Sequence, residues 1–393
     1  MFILMHKKFI FMLVGLGILV NSLDVAFGQT QGLSRQGNLR ILVLEGKPFD
    51  RGFKHGMALK DDIHRLVKIW KTSLEKTAKT DADAFIHKFL EKTNFQTAIR
   101  KWTPDLWEEI KGIAAGAEID FDTIFAFQLV DEMWVLGRSI RAEHCTTIGT
   151  NKSGGYPAIA AQNLDIPTFY HGFQALLHIK DSDKDLETLV FTFPGFIATN
   201  GINSHSVAVV VNAVQQLENS RDGLPVAFVI RGLLQRDSYD EAVRFLKSIK
   251  HGAPQNYMVG GMDKVGSFEC ATTHVSPFIP FEGSNFTYHT NHPLRNSHYD
   301  SEFLSFLEAK KVPPSEYKHP CVRFEALQGL LKDNSVRIDV DLLKDIFSRR
   351  DIRINNSGTF GCTIMVLGED PELHVSPGRP DEEAFQVFRF HTN

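Results

Sequence analysis

Cysteine is scarce in this chain, and tyrosine and tryptophan are scarcer than phenylalanine by a wide margin. Four cysteines stand at 145, 270, 321 and 362 of 393 residues, and their spacing matches no metal-ligand pattern. Nor do four scattered thiols make a disulfide framework in a chain this long. If Cys145 stays a thiol, at most one bridge remains among the other three. Neither sign of charge dominates: 43 basic residues face 47 acidic ones, for a net charge of −4. With no Lys/Arg-rich run, nucleic acid is excluded as the main partner. Internal repeats and low-complexity tracts are also missing, so a solenoid or a disordered chain is excluded.

Long apolar runs are absent too, apart from the stretch Phe9 to Val20, which is short for a span needing ~20 residues. His6, Lys7 and Lys8 precede it as a basic region, and Ala26-Phe27-Gly28 follow it with small residues. Residues 1–28 therefore read as a cleaved export signal, which makes the mature protein periplasmic or secreted. An uncleaved membrane anchor is the alternative. No cysteine stands at the cleavage point, which argues against a lipid anchor, and no stable membrane span is expected once the signal is gone.

What is present is enough apolar residue, 43%, for a large core. Phenylalanine contributes 31 residues against 7 Tyr and 4 Trp, which suits either the core or a greasy acyl pocket. After a polar linker (Gln29 to Asn38), Arg40 to Gly46 reads as a strand. Pro48 to Gly56 is a turn running into a helix. Leu59, Ile63, Leu66, Ile69 and Trp70 recur at helical spacing, and helical pattern continues to about Leu136. Thr103 and Pro104 suit the N-cap and first position of one helix, and another spans roughly Asp122 to Val135. From His144 the chain changes to short strands, at 157–164, 174–179, 187–193, 207–212, 256–259 and 266–271. Helices are expected at 224–234, 238–248, 323–331 and 341–347, with strands at 363–366 and 372–375 closing the chain. The sum is an α+β protein with two antiparallel sheets between helices.

Cys145-Thr146-Thr147 sits where the helical front half meets the strands. A thiol is a strong acyl acceptor when a base is near, and the α-amine of a residue freed at its N-terminus has the right pKa for that base. A lone Cys at a strand start is otherwise a core residue. One hairpin downstream, Gln162-Asn163-Leu164-Asp165 ends the next apolar strand, returning a carboxylate beside the thiol. Asp165 suits a charge-assisted hydrogen bond to that amine, although Asn163 and Asp165 are also ordinary turn residues. Asn212, ending the run Val207 to Val211, and Asn291, in Thr290-Asn291-His292, have the neutral amides an oxyanion hole uses. Each equally suits a buried strand-end Asn that satisfies backbone groups. His289 and His292 invite a metal reading, but no H-E-x-x-H helix exists and Pro293 points to a loop. Neither metal nor cofactor is expected.

In these residues the chain resembles the acyl-coenzyme A:6-aminopenicillanic acid acyltransferase family, within the N-terminal-nucleophile hydrolases. More distantly it is similar to choloylglycine hydrolases and acid ceramidases. Arg51-Gly52 to Gly56 looks like the family's R-G-x-x-x-G element, Cys145-Thr146-Thr147 like its nucleophile motif, and Gln162 to Asp165 like its Q-N-x-D motif. Gly201-Ile202-Asn203 with Val207 to Asn212 resembles its "G-x-N … N" strand pair, Thr290 to His292 its T-N-H motif, and Arg323 falls where the family has an Arg. The resemblance implies a four-layer αββα sandwich and self-cleavage between His144 and Cys145. It divides the chain into a signal (1–28), a helical pro-segment or small chain (29–144) and a catalytic large chain (145–393), the two cleaved chains staying associated. Cys145, Asp165, Asn212 and Asn291 would be catalytic, with Gln162, Asn163, His292 and Arg323 binding substrate or supporting them. The implied substrate is a small N-acyl compound, whose acyl-thioester passes to water or, in an acyltransferase, to an amine. An uncleaved, non-catalytic binding protein is a further alternative. Two positions depart from the relatives: His144 replaces a common Gly, and Gln162 stands where bile-salt hydrolases and ceramidases place an Arg, so their substrates are not carried over.

Overall fold

The computed structural model describes residues 32–136, 145–181, 183–317 and 319–390. The expected export signal and His144 lie outside the described residues. The chain enters through strands β1 (Leu33–Gln36) and β2 (Leu39–Gly46), so the expected polar linker contributes an edge strand. Helices follow: α1 (Pro48–Ala58), α2 (Lys60–Ala78), α3 (Ala82–Glu91), α4 (Phe95–Trp102), α5 (Pro104–Ala117), α6 (Phe121–Phe127) and α7 (Val130–Leu136). Pro104 does open α5, but Thr103 makes no capping bond to it; its hydroxyl instead donates back to Ile99 O and closes α4. The single helix expected over 122–135 is two, broken after Phe127, where the buried Gln128 side chain bonds Gly195 O and Ile197 N.

The most demanding contact in this front half is α1 against α5. A Cβ on Gly52 would lie 1.9 Å from Glu109 O, and one on Gly112 would lie 2.1 Å from Phe49 O. Only glycines let the two backbones meet at that separation. This is the physical content of the R-G-x-x-x-G element. Its Arg51 is buried beside Glu109, which also takes two bonds from Arg231, at 2.8 and 3.0 Å. His55, its ring held neutral by burial with a pKa of about 4, accepts the Gly195 N–H at 3.0 Å.

The strand-rich part contains β3 (Thr146–Thr150), β4 (Ala158–Asp165), β5 (Ala175–Asp181), β6 (Leu186–Thr192), β7 (Asn200–Asn203) and β8 (Ala208–Ala213). Then come α8 (Val226–Leu234), α9 (Tyr239–Ser248), β9 (Gln255–Gly260), β10 (Val265–Cys270), β11 (Val275–Phe278) and β12 (Phe286–His289). The chain closes with α10 (Ser301–Ala309), α11 (Val322–Leu330), α12 (Val340–Ser348), β13 (Thr359–Leu367), β14 (Glu372–Ser376) and β15 (Gln386–Arg389). One sheet has nine strands, ordered β1-β2-β5-β6-β7-β8-β9-β10-β11; the other has six, ordered β12-β3-β4-β13-β14-β15. Every pairing within them is antiparallel except β2 with β5.

The two sheets pack face to face where β3 and β4 meet β8, β9 and β10. Both faces of β4 and β8 are covered, which explains why these strands read as unbroken apolar runs instead of alternating. Behind the six-stranded sheet, Leu327, Leu343 and Phe347 of α11 and α12 pack on Ile148, Ile159 and Ile364. Behind the nine-stranded sheet lie α8, α9 and the helical front half. The order is helix, sheet, sheet, helix: the expected αββα sandwich. No helix among the described residues is long and apolar enough to cross a membrane.

Candidate active site

Cys145 is buried immediately ahead of β3, a strand placed between β12 and β4. Its thiol lies 3.6 Å from the backbone carbonyl of Asp165, at the end of β4. The β3–β4 hairpin explains this, since Thr146 is registered against Asn163 and Thr147 against Gln162. Successive strand residues face opposite ways. Thr146 turns toward α11, where Arg323 donates to its hydroxyl at 2.9 Å and to Cys145 O at 2.6 Å. The same guanidinium reaches Asn291 Oδ1 at 3.1 Å, so its planar fork ties the start of β3 to the loop after β12.

Thr147 turns the other way, toward the nine-stranded sheet. Its hydroxyl donates to Asn212 Oδ1 at 2.7 Å, and Asn256 Nδ2 donates to the same oxygen at 3.3 Å. The Asn212 amide is thereby oriented, and its Nδ2 is buried without a partner. An unsatisfied buried donor costs ~1–3 kcal/mol. Asn291, in contrast, donates its Nδ2 to Ala213 O at 3.1 Å. Of the two candidate oxyanion asparagines, one has an open donor and the other uses its amide to hold the neighbouring strand end.

The Asp165 carboxylate is held by Thr359 Oγ1 at 2.7 Å and Asn356 Nδ2 at 2.5 Å. Burial pushes its pKa up to about 7, against the pull of those hydrogen bonds and of the Arg323 charge. Gln162 bridges the sheets, donating to Val211 O and accepting from Asn200 Nδ2. Asn163 points away from the thiol and donates to Phe347 O and Ile354 O behind the sheet. His292 accepts from or donates to Thr290 Oγ1 and stacks on His319; burial first, then the neighbouring positive groups, lowers its pKa to about 3. Both ring nitrogens of His289 are engaged, by Glu269 and by Thr290 O, so it has none to spare for an ion. None of the four cysteines is in a disulfide.

Cys145 also lines a cavity of about 40 Å³ walled by Tyr170, Phe193, Phe196, Val211, Val226 and Ile230. That volume admits a few waters at most. Val130, Asp131 and Trp134 of α7 fill one side of it. Sequence reasoning passed over Asp131, Glu132 and Gln255, which put polar atoms in and beside this apolar wall. Burial raises the Asp131 pKa to about 7 and the Glu132 pKa to about 8. It also passed over Asn356 and Thr359, for which no local pattern exists.

Residues 151–371 match the sequence model of the acyl-coenzyme A:6-aminopenicillanic acid acyl-transferase family. The chain belongs to this family. Asp165, Asn212, Asn291 and Arg323 of this family member fall inside the matched span, and Cys145 lies just ahead of it. An uncharacterized protein of Archaeoglobus fulgidus is 22% identical over 349 residues, 79% of this chain and 58% of its own length. Protein dcd1A of Dictyostelium discoideum is 25% identical over 259 residues, 58% of this chain and 57% of its own. The acyl-transferase family member thus spans less than two thirds of either relative. A solved variant of conjugated bile acid hydrolase from Clostridium perfringens has a TM-score of 0.37 at 13% identity, covering 63% of this chain and 97% of that one. Penicillin V acylase from Agrobacterium tumefaciens has a TM-score of 0.36 at 13% identity, with 63% and 86% covered.

Proposed function

We propose that the protein is a cysteine amidohydrolase of N-acyl compounds that activates itself by cutting the chain between His144 and Cys145. The observation that carries this reading is the setting of Cys145. It stands immediately ahead of a buried strand, borders an apolar cavity, and has its carbonyl oxygen held by Arg323. In the intact chain the thiol adds to the His144 carbonyl carbon. The bond to the Cys145 nitrogen breaks, that nitrogen takes up the thiol proton, and a thioester remains. Water hydrolyses the thioester, releasing the His144 carboxylate and restoring the thiol.

In the mature enzyme the new α-amine, with a reference pKa of about 7.7–8.0, removes the thiol proton. The thiolate attacks the substrate amide carbon, and the Asn212 Nδ2 group donates to the oxyanion. The ammonium protonates the departing amine, and water then hydrolyses the acyl-thioester. Asp165 suits the task of holding the ammonium, and Asn291 and Arg323 brace the frame. The aromatic wall of Tyr170, Phe193 and Phe196 favours an apolar acyl group. An export signal over residues 1–28 would put this activity in periplasm or medium, where water is the natural acceptor. The family's description favours amine acceptors as the second reading.

The test is intact mass and turnover on the same preparation. Wild type is expected to yield two co-eluting fragments, the second starting at Cys145, and to release amines from a panel of N-acyl amides. Cys145→Ala is expected to stay whole and inactive. Full activity from a single uncut chain would overturn the reading, and formation of new amides when an amine is added would establish transfer.

A further inference from the structure

Away from the thiol, the loop after β8, the turn between β10 and β11 and the loop after β12 come together. The strands β8 and β10 run in the same direction, with β9 antiparallel between them, so their following loops leave the sheet at one end. Glu218, His274 and His298 stand on these three segments. Their candidate ligand atoms all lie within 4.8 Å of one another. The backbone around them is fixed. Glu218 N donates to His298 O at 2.9 Å, Leu217 bridges Tyr299, and Asp300 N donates to Gln216 O. The Asn296 side chain donates to His274 O at 2.9 Å and accepts from His298 N at 3.0 Å. The loop carrying His298 is anchored in turn on the buried Glu269 carboxylate, which accepts the Leu294, Arg295 and Asn296 N–H groups.

The His274 and His298 rings stack face to face, with centroids 3.3 Å apart and planes 13° from parallel. Neutral aromatic rings prefer offset or edge-on contact at larger separation, and two imidazolium ions would repel. The in-plane lone pairs of parallel rings cannot both aim at one ion, so ligation turns one imidazole out of the stack. The donor set is two nitrogens and one carboxylate, which suits zinc and its first-row neighbours far better than calcium or magnesium. Zinc bonds of about 2.0–2.2 Å would draw the three atoms together as the exposed His274 ring turns out of the stack, with water completing the sphere.

We propose that Glu218, His274 and His298 form a zinc-class divalent cation site that clamps the loops on which Asn212 and Asn291 depend. Glu218 follows Asn212 in the loop after β8, and His298 follows Asn291 in the loop after β12. Between these pairs, Asn291 Nδ2 already bonds Ala213 O. An ion at the far end fixes the two loops at a second point, so it acts on the position of Asn291 and takes no part in bond breaking. The site stands on its own geometry, independently of the amidohydrolase reading, and its test reads metal and stability before activity.

Tag-free full-length protein is stripped with a chelator and titrated with Zn²⁺, and cobalt(II) is used as a visible probe. Wild type is expected to bind one ion per chain, to develop a cobalt d–d absorption band, and to melt at a higher temperature as Zn²⁺ is added. His274→Ala and His298→Ala are each expected to lose the band and the melting shift, while His205→Ala, on a distant loop, keeps both. Glu218→Gln preserves shape but removes the charge, and should weaken binding by at least the ~10–100-fold that loss of an outer-shell partner costs. Melting of each stripped variant at the stripped wild-type temperature shows that it folds. No stoichiometric Zn²⁺ on wild type, or unchanged binding in both histidine variants, would overturn the proposal.

Discussion

At the scale of single residues, the two asparagines of the site differ in what their amides do. Thr147 and Asn256 both occupy Asn212 Oδ1, which leaves Nδ2 as an unsatisfied donor in the protein interior. A buried donor without a partner is retained at a cost, and stabilising a developing oxyanion is a use that would recover it. Asn212→Ala should therefore lower kcat on N-acyl amides by ~10²–10³, with KM little changed. Steady-state kinetics on preformed two-chain enzyme checks this, with Asn212→Asp as a variant that keeps the shape and loses the donor. A larger effect on KM than on kcat would remove Asn212 from the transition state. Arg323 works differently, since it holds Cys145 O, the Thr146 hydroxyl and Asn291 at once through a fork that lysine cannot reproduce.

At the scale of elements, the R-G-x-x-x-G segment serves the contact of α1 with α5. Gly52 and Gly56 of α1 face Gly112 and Gly116 of α5, and a methyl group at any of the four meets backbone atoms that cannot turn aside. Gly112→Ala should destabilise by at least ~1–3 kcal/mol, the usual range for overpacking. The denaturant midpoint would drop with its slope unchanged. The same displacement would disturb Arg51 and Glu109, and with them the Glu109–Arg231 pair that joins the helical front half to α8. Removing one member of such a buried pair costs ~3–5 kcal/mol. A Gly112→Ala protein as stable as wild type would show that the two helices can separate, and that the glycines have another purpose.

At the scale of the whole molecule, three buried carboxyls have raised pKa values: Asp131 and Asp165 near 7, and Glu132 near 8, each raised chiefly by burial. In the unfolded chain these groups titrate near the ordinary 4. Between those limits the folded state holds more protons than the unfolded one, so stability falls as pH rises. The contribution is fully present below about pH 4 and is lost through pH 7 to 8. Glu132→Gln mimics the protonated acid. Its stability relative to wild type should rise from pH 5 to pH 8, measured by denaturant unfolding at both. Parallel curves for the two proteins would mean that Glu132 is already neutral across the range or is solvated. Glu132 accepts the Val226 N–H across the His144–Cys145 boundary, a bond that favours its ionised form against the burial that opposes it.

Residue order along the chain determined the element types, since the burial of one or both faces is written into local periodicity. It also determined the motif residues, because a thiol, a strand-end carboxylate and neutral amides are chemically distinctive wherever they fall. Only the tertiary structure decided their partners. Asp165 is held by Asn356 and Thr359, which lie 191 and 194 residues further on. Asn163 and Gln162 are neighbours in one motif, yet the pleat sends one behind the sheet and the other between the sheets. Glu218, His274 and His298 meet because three loops leave the same end of the fold. Periodicity reports how a segment meets its immediate surroundings, whereas a site is assembled by the path of the whole chain, which no local window contains.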